Sequence, residues 1–164
     1  MSKFKHIAAA AAVSLVIPAQ AFAESATFGA SATILEALAL SKNADLGFAN
    51  VVPNPSSGGA VVVTPASART CAAGLTCSGT VTAADFTVAG APGAAYTLTL
   101  PSSANITSGS DTMLIDNFTT SLGGSTGTLI GGADTFQMGA TLNVAAAQAV
   151  GTYNGTFTVT VEYN

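Results

Sequence analysis

Apolar and polar residues alternate along the last part of the chain. Every second residue from Phe157 to Tyr163 is apolar, and the residues between them are threonine or glutamate. Because successive side chains of a β-strand point to opposite faces, strict alternation predicts a strand with one buried and one exposed face. The sequence therefore predicts a long strand over residues 152–163.

A second alternating stretch follows residue 23. Small or apolar residues alternate there with polar residues or glycine. Glu36 is the first polar residue at a position where the alternation would place an apolar one. The apolar positions are Ala26, Phe28, Ala30, Ala32 and Ile34. The pattern predicts an amphipathic strand within an extension of residues 24–35, followed by a domain of residues 36–164.

Short alternating runs recur between these two stretches, separated by clusters of glycine, proline, asparagine and serine. Examples are residues 46–52, 60–65, 95–101 and 111–120. Past residue 23, no stretch of ten or more residues has helical periodicity. Seven to nine short strands with frequent turns predict an all-β domain of the β-sandwich type.

The first 23 residues have a different character. Lys3 and Lys5 precede a largely apolar stretch of eleven residues, and small residues follow up to an expected cleavage point between Ala23 and Glu24. This order is typical of a secretory signal peptide. The alternative, a membrane anchor, needs roughly 20 apolar residues. We therefore expect residues 1–23 to be a signal peptide and the mature chain to be exported.

Charge and residue content narrow the possible functions. Without residues 1–23 the chain has two basic and eight acidic side chains, a net charge of −6, and no histidine. A chain without a basic patch is not expected to bind nucleic acid. The usual pairs of a nucleophile with a base are missing, so we expect no enzymatic activity, no cofactor and no small-molecule substrate. Paired carboxylates would have to come from Asp111, Asp116 and Asp134, which we interpret as solvated turn residues.

The two cysteines, Cys71 and Cys77, have five residues between them. In an exported protein a close pair of cysteines is typical of a disulfide. A metal site would need further cysteine or histidine ligands, which the mature sequence lacks. We expect a disulfide that holds a local turn, and no metal site.

The two ends of the predicted domain resemble chaperone–usher pilins. Gly151 is the fourteenth residue from the end and Tyr163 is the penultimate one, with alternating apolar residues between them. A glycine, an alternating strand and a penultimate tyrosine at these places form the C-terminal signature of that family. Residues 37–51 also resemble the start of the domain in pilins of the less-characterised fimbrial families.

The resemblance implies an incomplete immunoglobulin-like sandwich that lacks its last strand and is completed in trans. A periplasmic chaperone first lends a strand to the open groove, and the N-terminal extension of another subunit then replaces it, which is a form of β-augmentation. An outer-membrane usher and other copies of the chain, or related subunits, are further implied partners. The chain would be a structural subunit of a fimbrium, exported to the periplasm and then to the cell surface.

The resemblance also assigns roles to residues. The apolar residues of the extension would be the donor strand, and the final strand would flank the groove. The residues expected on that groove strand are Gly151, Tyr153, Phe157, Val159, Val161 and Tyr163. The disulfide is expected to leave the assembly surface unaffected.

Other interpretations remain open at this point. The chain could be a self-contained exported β-sandwich that acts as an adhesin or ligand-binding module, although adhesins related to pilins usually have an extra lectin domain and no donor extension. The extension could also complete its own domain as an antiparallel hairpin, since a parallel arrangement needs a crossover of a dozen or more residues. A small exported enzyme is disfavoured by the lack of histidine.

Overall fold

The structure is a computed structural model that describes residues 24–164, so the signal peptide predicted for residues 1–23 lies outside the described part. The described protein is all-β, with one short 3₁₀ helix at Ile130–Gly132. Within these residues no helix has the length and hydropathy of a membrane span. The strands are β1 (Ala39–Ala44), β2 (Asn50–Val52), β3 (Gly59–Val63), β4 (Arg69–Cys71), β5 (Thr76–Ser78), β6 (Ala84–Ala89), β7 (Ala95–Thr99), β8 (Ser103–Ser108), β9 (Asp111–Thr120), β10 (Thr126–Thr128), β11 (Ala133–Val144) and β12 (Thr160–Tyr163).

These strands form antiparallel sheets that pack as a sandwich. The largest sheet has seven strands in the order β1-β6-β11-β3-β4, with β9 paired to β11 and β8 paired to β9. The smaller sheets are β10-β7-β12 and β2-β5. The predicted all-β sandwich is confirmed. The structure has more strands than the seven to nine predicted, because several have only three residues and are too short to leave an alternation in the sequence.

β11 is the longest strand and the centre of the large sheet. Its first half pairs with β6, and its second half pairs with β3 and β9. Buried side chains recur at every second position along it, at Phe136, Met138, Ala140, Leu142 and Val144. This spacing places them on one face of the strand, as the geometry of a β-strand requires.

Gly139, between two of these buried residues, lies where a larger residue does not fit. A Cβ at this position would overlap the Val63 carbonyl oxygen and the backbone from Thr64 to Pro65. We expect Gly139→Ala to lower the free energy of unfolding by about 1–3 kcal/mol, since backbone atoms in a packed sheet cannot move aside without strain. Urea unfolding measures the change. Gly124→Ala is the control, because a Cβ there meets nothing within 4 Å; equal losses in the two variants would contradict the prediction.

The buried side chains form two clusters. The first consists of Phe48, Val61, Val63, Val81, Ile115, Ala140, Leu142 and Val144. The second consists of Ala84, Phe86, Val88, Tyr96, Leu98, Leu129, Phe136 and Met138. Half-buried Leu46 and Phe118 pack against both clusters. The core is therefore continuous, with the second cluster beneath the apolar face of β12.

The expected disulfide between Cys71 and Cys77 is confirmed. It closes the turn between β4 and β5, but β4 pairs with β3 in the large sheet, whereas β5 pairs with β2. The bridge therefore joins the edge of the large sheet to the β2–β5 pair, and the expectation that it holds only a local turn is corrected. Spacing along the chain could not show this, because it does not reveal the partners of the flanking strands.

The strand predicted over residues 152–163 is shorter than expected. Its regular pairing begins at Thr160, where β12 runs beside β7, and farther upstream Asn154 forms an isolated bridge with Thr107 of β8. The segment between β7 and β8 contains Pro101. Proline has no N–H to donate, so it interrupts the hydrogen-bond ladder between β7 and the C-terminal segment. The predicted alternation is nevertheless present in side-chain burial. The half-buried residues are Phe157, Val159, Val161 and Tyr163, and those between them are exposed.

Candidate strand-accepting groove

A groove of about 850 Å³ lies between the start and the end of the domain. Residues 42–53 form its first wall and residues 148–157 form its second wall. Its floor consists of Ile106, Met113, Ile115, Leu142 and Val144. Three of these belong to the first core cluster, and Ile106 and Met113 are half-buried beside it. The groove therefore reaches down to the apolar core.

Each wall is hydrogen-bonded to the rest of the domain. The first wall pairs through β1 with β6, through Gly47 with Thr82, and through β2 with β5. The second wall pairs through Asn154 with Thr107. Within the described chain, no backbone hydrogen bond joins residues 42–53 to residues 148–157. The two walls therefore have backbone groups left for a further strand, as the free edge of a sheet does.

One end of the groove is closed by a backbone hydrogen bond, in which the Ala147 N–H donates to the Asn54 carbonyl at 2.9 Å. We call this the asparagine end. The side-chain oxygen of Asn54 accepts hydrogen bonds from the N–H groups of Ser56 and Ser57 at 2.8 and 3.1 Å. An asparagine that bonds backbone a few residues ahead stabilises a turn, so this end of the first wall is fixed locally.

Tyr153 fixes the second wall near the same end. Its hydroxyl donates to the Ala149 carbonyl at 2.8 Å and accepts a hydrogen bond from the Gln148 side chain at 2.9 Å. Both bonds are made within the wall itself. Tyr153, a groove residue predicted from the sequence, lines the groove and holds this loop in shape.

Beyond the opposite end of the groove, at Phe157, the second wall continues into β12 and reaches Tyr163. Its hydroxyl donates to the Glu36 carbonyl at 2.8 Å and accepts a hydrogen bond from the Ala91 N–H at 2.7 Å. We call this the tyrosine end. Gly90 makes room for the hydroxyl, because a Cβ at that position would overlap it. Tyr163 thus ties β12 to the start of the domain. Neither Gly90 nor the Glu36 carbonyl stood out in the sequence.

Loss of the Tyr163 hydroxyl should destabilise the domain. Tyr163→Phe keeps the ring but leaves the N–H of the nearly buried Ala91 without a partner. We expect the free energy of unfolding to fall by about 1–3 kcal/mol, the cost of an unsatisfied donor, as measured in urea. Tyr153→Phe removes a hydroxyl from an exposed loop and should cost less. A Tyr163→Phe loss no larger than that of Tyr153→Phe would contradict the prediction.

The other predicted groove residues have two different environments. Gly151 and Phe157 line the groove, and the ring of Phe157 packs on Phe118 with centroids 5.1 Å apart. Val159, Val161 and Tyr163 do not line the groove but pack on the second core cluster, which Phe157 also contacts. A Cβ at Gly151 would overlap the Ser108 side chain, so the glycine allows the second wall to approach β8.

Gly155, which was not predicted from the sequence, also allows the second wall to approach β8. A side chain is less tolerable here than at Gly151, because it would meet backbone atoms. A Cβ at Gly155 would lie 2.6 Å from the Asn105 carbonyl oxygen and 2.8 Å from the Ile106 side chain. Only a residue without a side chain permits this approach. Its position within an alternating run offered no signal, because glycine is also frequent in the turns of this chain.

The extension is exposed along its length. Residues 24–35 contain no strand, and their side chains are exposed. The two largest apolar side chains of the alternating set, Phe28 and Ile34, are 92% and 95% exposed. Exposure of a regular apolar face is unusual for a folded protein and marks an interaction surface.

One family model matches residues 38–163, and the family is described as a domain of unknown function (DUF4402). The chain belongs to this family. The matched residues begin just before β1 and end with β12, so the DUF4402 domain contains both walls and the floor of the groove. The extension lies outside the match. The comparison with curated proteins and the comparison with solved structures each found no match.

The groove of the DUF4402 domain carries little charge. Lys42 and Asp45 form an exposed ion pair at 2.5 Å on the first wall, and such pairs contribute about 0–1 kcal/mol. The other lining residues are uncharged. An apolar floor between walls that carry only this one ion pair suits an amphipathic strand better than a charged ligand.

Polar bonds across the large sheet hold β1, and with it the first wall, in place. Asp85 on β6 accepts hydrogen bonds from the side-chain amides of Asn43 on β1 and Gln137 on β11, at 2.5 and 2.8 Å. The bond from Asn43 and then that from Gln137 lower the pKa of Asp85 from its usual value. The carboxylate is therefore held in its charged form as the acceptor for both neighbouring strands.

The three aspartates considered as paired carboxylates lie in strands of the DUF4402 domain, Asp111 and Asp116 in β9 and Asp134 in β11. The expectation that they are turn residues was wrong. Asp134 accepts a hydrogen bond from the hydroxyl of buried Tyr96 at 2.9 Å, which joins the large sheet to the β10-β7-β12 sheet. Burial and this bond raise the pKa of Tyr96. Within residues 24–164, no three His, Cys, Asp or Glu side chains come together as a metal site.

Proposed function

We propose that the chain is a structural subunit of a surface fimbrium and that it polymerises by donor-strand exchange. The observation that carries this proposal is the groove, which has an apolar floor and two walls with unpaired backbone. The extension is a strand of the complementary kind, with an apolar residue at every second position from Ala26 to Ile34. A chain that both accepts and donates a strand can form an open-ended assembly.

The dimensions of the donor and the groove support the proposal. At roughly 3.3 Å per residue, the second wall corresponds to about 30 Å of extended chain, and residues 24–34 correspond to about 33 Å. A donated strand therefore runs along the whole groove. Its alternation directs Phe28 and Ile34 to the apolar floor and the intervening polar residues to solvent.

The burial of the donor side chains is large enough to drive assembly. Burying one phenylalanine, one isoleucine and three alanines contributes on the order of 5–8 kcal/mol, as an upper value. A typical domain is stable by about 5–15 kcal/mol. A donated strand therefore changes the stability of the acceptor by a large fraction of its total.

The proposal includes export and assembly partners. The predicted signal peptide directs the chain to the periplasm, where the Cys71–Cys77 disulfide forms under oxidising conditions. An open apolar groove with unpaired backbone is prone to aggregation. A periplasmic chaperone that lends a strand protects it, and an outer-membrane usher exchanges that strand for the extension of the next subunit.

Deletion of residues 24–34 tests the proposal. The truncated chain keeps its groove and can accept a strand, but it has none to donate. In electrophoresis of unboiled samples we expect a ladder of polymers from the full mature chain and a single band from the truncated one. A synthetic peptide with the sequence of residues 24–34 should raise the melting temperature of the truncated chain, because a ligand of the folded state stabilises it.

The control peptide has the same composition in an order that removes the alternation, and it should have no effect. Ladders of equal strength from the two chains would contradict donor-strand exchange and favour a self-contained sandwich. A full-length chain that stays monomeric but melts at a higher temperature than the truncated chain would support the antiparallel hairpin instead.

A further inference from the structure

Large apolar side chains are seldom exposed in the described domain. From Glu36 onward there are four, namely Val52, Leu114, Ile130 and Val150. Leu114 is 40% exposed on β9, whereas the other three are 58%, 84% and 95% exposed. Ile130 lies on the side of Tyr163, whereas Val52 and Val150 lie near the asparagine end, where Val150 lines the groove.

Ile130 lies near the tyrosine end. The Gly90 N–H donates to the Gly132 carbonyl at 2.9 Å, which ties the loop of Ile130 to the chain beside Ala91. Ala91 in turn donates to the Tyr163 hydroxyl. The exposed isoleucine is therefore fixed close to the place where β12 meets the start of the domain.

Val150 and Val52 lie near the asparagine end. Val150 lines the groove on the second wall, three residues after Ala147. Val52 is the last residue of β2 and lies two residues before Asn54. Because the Ala147 N–H bonds to the Asn54 carbonyl, the two valines belong to the same end of the domain, one from each wall.

The position of Glu36 decides how successive subunits can be arranged. Glu36 is bonded to Tyr163, so each extension joins its own domain at the tyrosine end. A donor that runs from the tyrosine end to the asparagine end of an acceptor brings its own domain to the acceptor's asparagine end. The opposite direction brings it to the acceptor's tyrosine end, where the acceptor's own extension must leave. Only the first arrangement places one neighbour at each end of every subunit. It can therefore repeat along a filament without two segments occupying the same end.

We propose that the tyrosine end of each subunit packs against the asparagine end of the next, with Ile130 of one copy in contact with Val150 and Val52 of the other. The partner is a second copy of this chain. The inference rests on the proposed function, because the donated strand brings the two ends together. Three side chains bury far less than the roughly 1,200–2,000 Å² of a stable interface. The contact therefore forms only between linked subunits, where the effective concentration is high.

A pair of cysteines tests the contact. In the mature chain carrying both Ile130→Cys and Val150→Cys, mild oxidation should link neighbouring subunits, so that the ladder survives boiling in detergent and disappears on reduction. Each single variant should give no cross-linked dimer, and the pair Ile130→Cys with Leu114→Cys should give no such ladder. A boiled, reducible dimer from Ile130→Cys alone would show contact between like ends and overturn the proposal.

The outcome separates this inference from the proposed function. An unboiled ladder without any cross-link in the double variant would overturn the end-to-end contact and leave donor-strand exchange standing. A parent chain that gives no unboiled ladder would overturn both.

A second measurement tests the contact if the double-cysteine variant does not fold. Ile130→Ser should lower the temperature at which the unboiled ladder dissociates, whereas Leu114→Ser should leave it unchanged. Equal dissociation temperatures for Ile130→Ser and the parent would count against the contact.

Discussion

Phe28→Asp is expected to abolish polymerisation. Phe28 is the largest apolar side chain of the proposed donor strand, and it is 92% exposed. The variant loses the burial of an aromatic ring and places an unpaired charge against an apolar floor. We expect strand binding to weaken by about 3 kcal/mol or more, which is over a hundredfold. The unboiled ladder of the mature chain should disappear.

The matched control is Thr27→Asp, one residue away on the opposite face of the donor strand. A shift of one position in a strand moves a side chain to the other face, so this aspartate stays in solvent. The ladder of Thr27→Asp should resemble that of the parent chain. Equal effects of the two substitutions would show that charge in the extension, and not its apolar face, governs assembly.

Met113→Glu is expected to weaken the binding of a donated strand by a subunit while leaving the subunit's own extension intact. Met113 is half-buried in the floor of the groove, where a donated strand would cover it. A glutamate there loses its contact with water when the groove is filled. We expect binding of the peptide of residues 24–34 to weaken by about 2 kcal/mol, roughly thirtyfold, as measured by titration of purified truncated chains.

The neighbouring Leu114 supplies the control, because it is an exposed residue of the same strand. Leu114→Glu should bind the peptide as the parent does.

A mixture of the Phe28→Asp and Met113→Glu chains tests the groove more directly. Phe28→Asp chains accept a strand but donate one poorly, and Met113→Glu chains donate a strand but accept one poorly, so together they should form mainly dimers. Long ladders from the mixture, or equal peptide binding by the Met113 and Leu114 variants, would contradict the assignment of the groove.

The sequence predicted that the C-terminal segment is extended and which of its faces is apolar. Both could be predicted because alternation is a local property. The alternation from Phe157 to Tyr163 is confirmed in burial. The extent of the strand was not predictable, since it depends on Pro101 in a neighbouring part of the chain. The predicted strand over residues 46–52 is likewise divided, because Ala49 has a positive φ of 58° and turns the chain before β2.

The tie between β12 and the start of the domain depends on contacts that local patterns do not contain. The Tyr163 hydroxyl bonds to groups that lie 72 and 127 residues away in sequence. Gly90 is needed because a Cβ there would overlap that hydroxyl and crowd the side chains of Leu38 and Leu129. A single sequence identifies Tyr163 as an unusual residue at a fixed place, but its partners depend on how the sheets pack.

The disulfide would have a mechanical consequence for a filament of the proposed kind under tension. Pulling force passes from each donated strand into the groove walls, and the first wall includes β2, a three-residue strand whose Val51 pairs with Cys77 of β5. Two such short strands alone would peel apart at low force. The Cys71–Cys77 bond connects β5 covalently to β4, and β4 pairs with β3 in the large sheet. Load is thereby shared with the whole sheet, so we expect reduction of the bond to lower the rupture force of a junction.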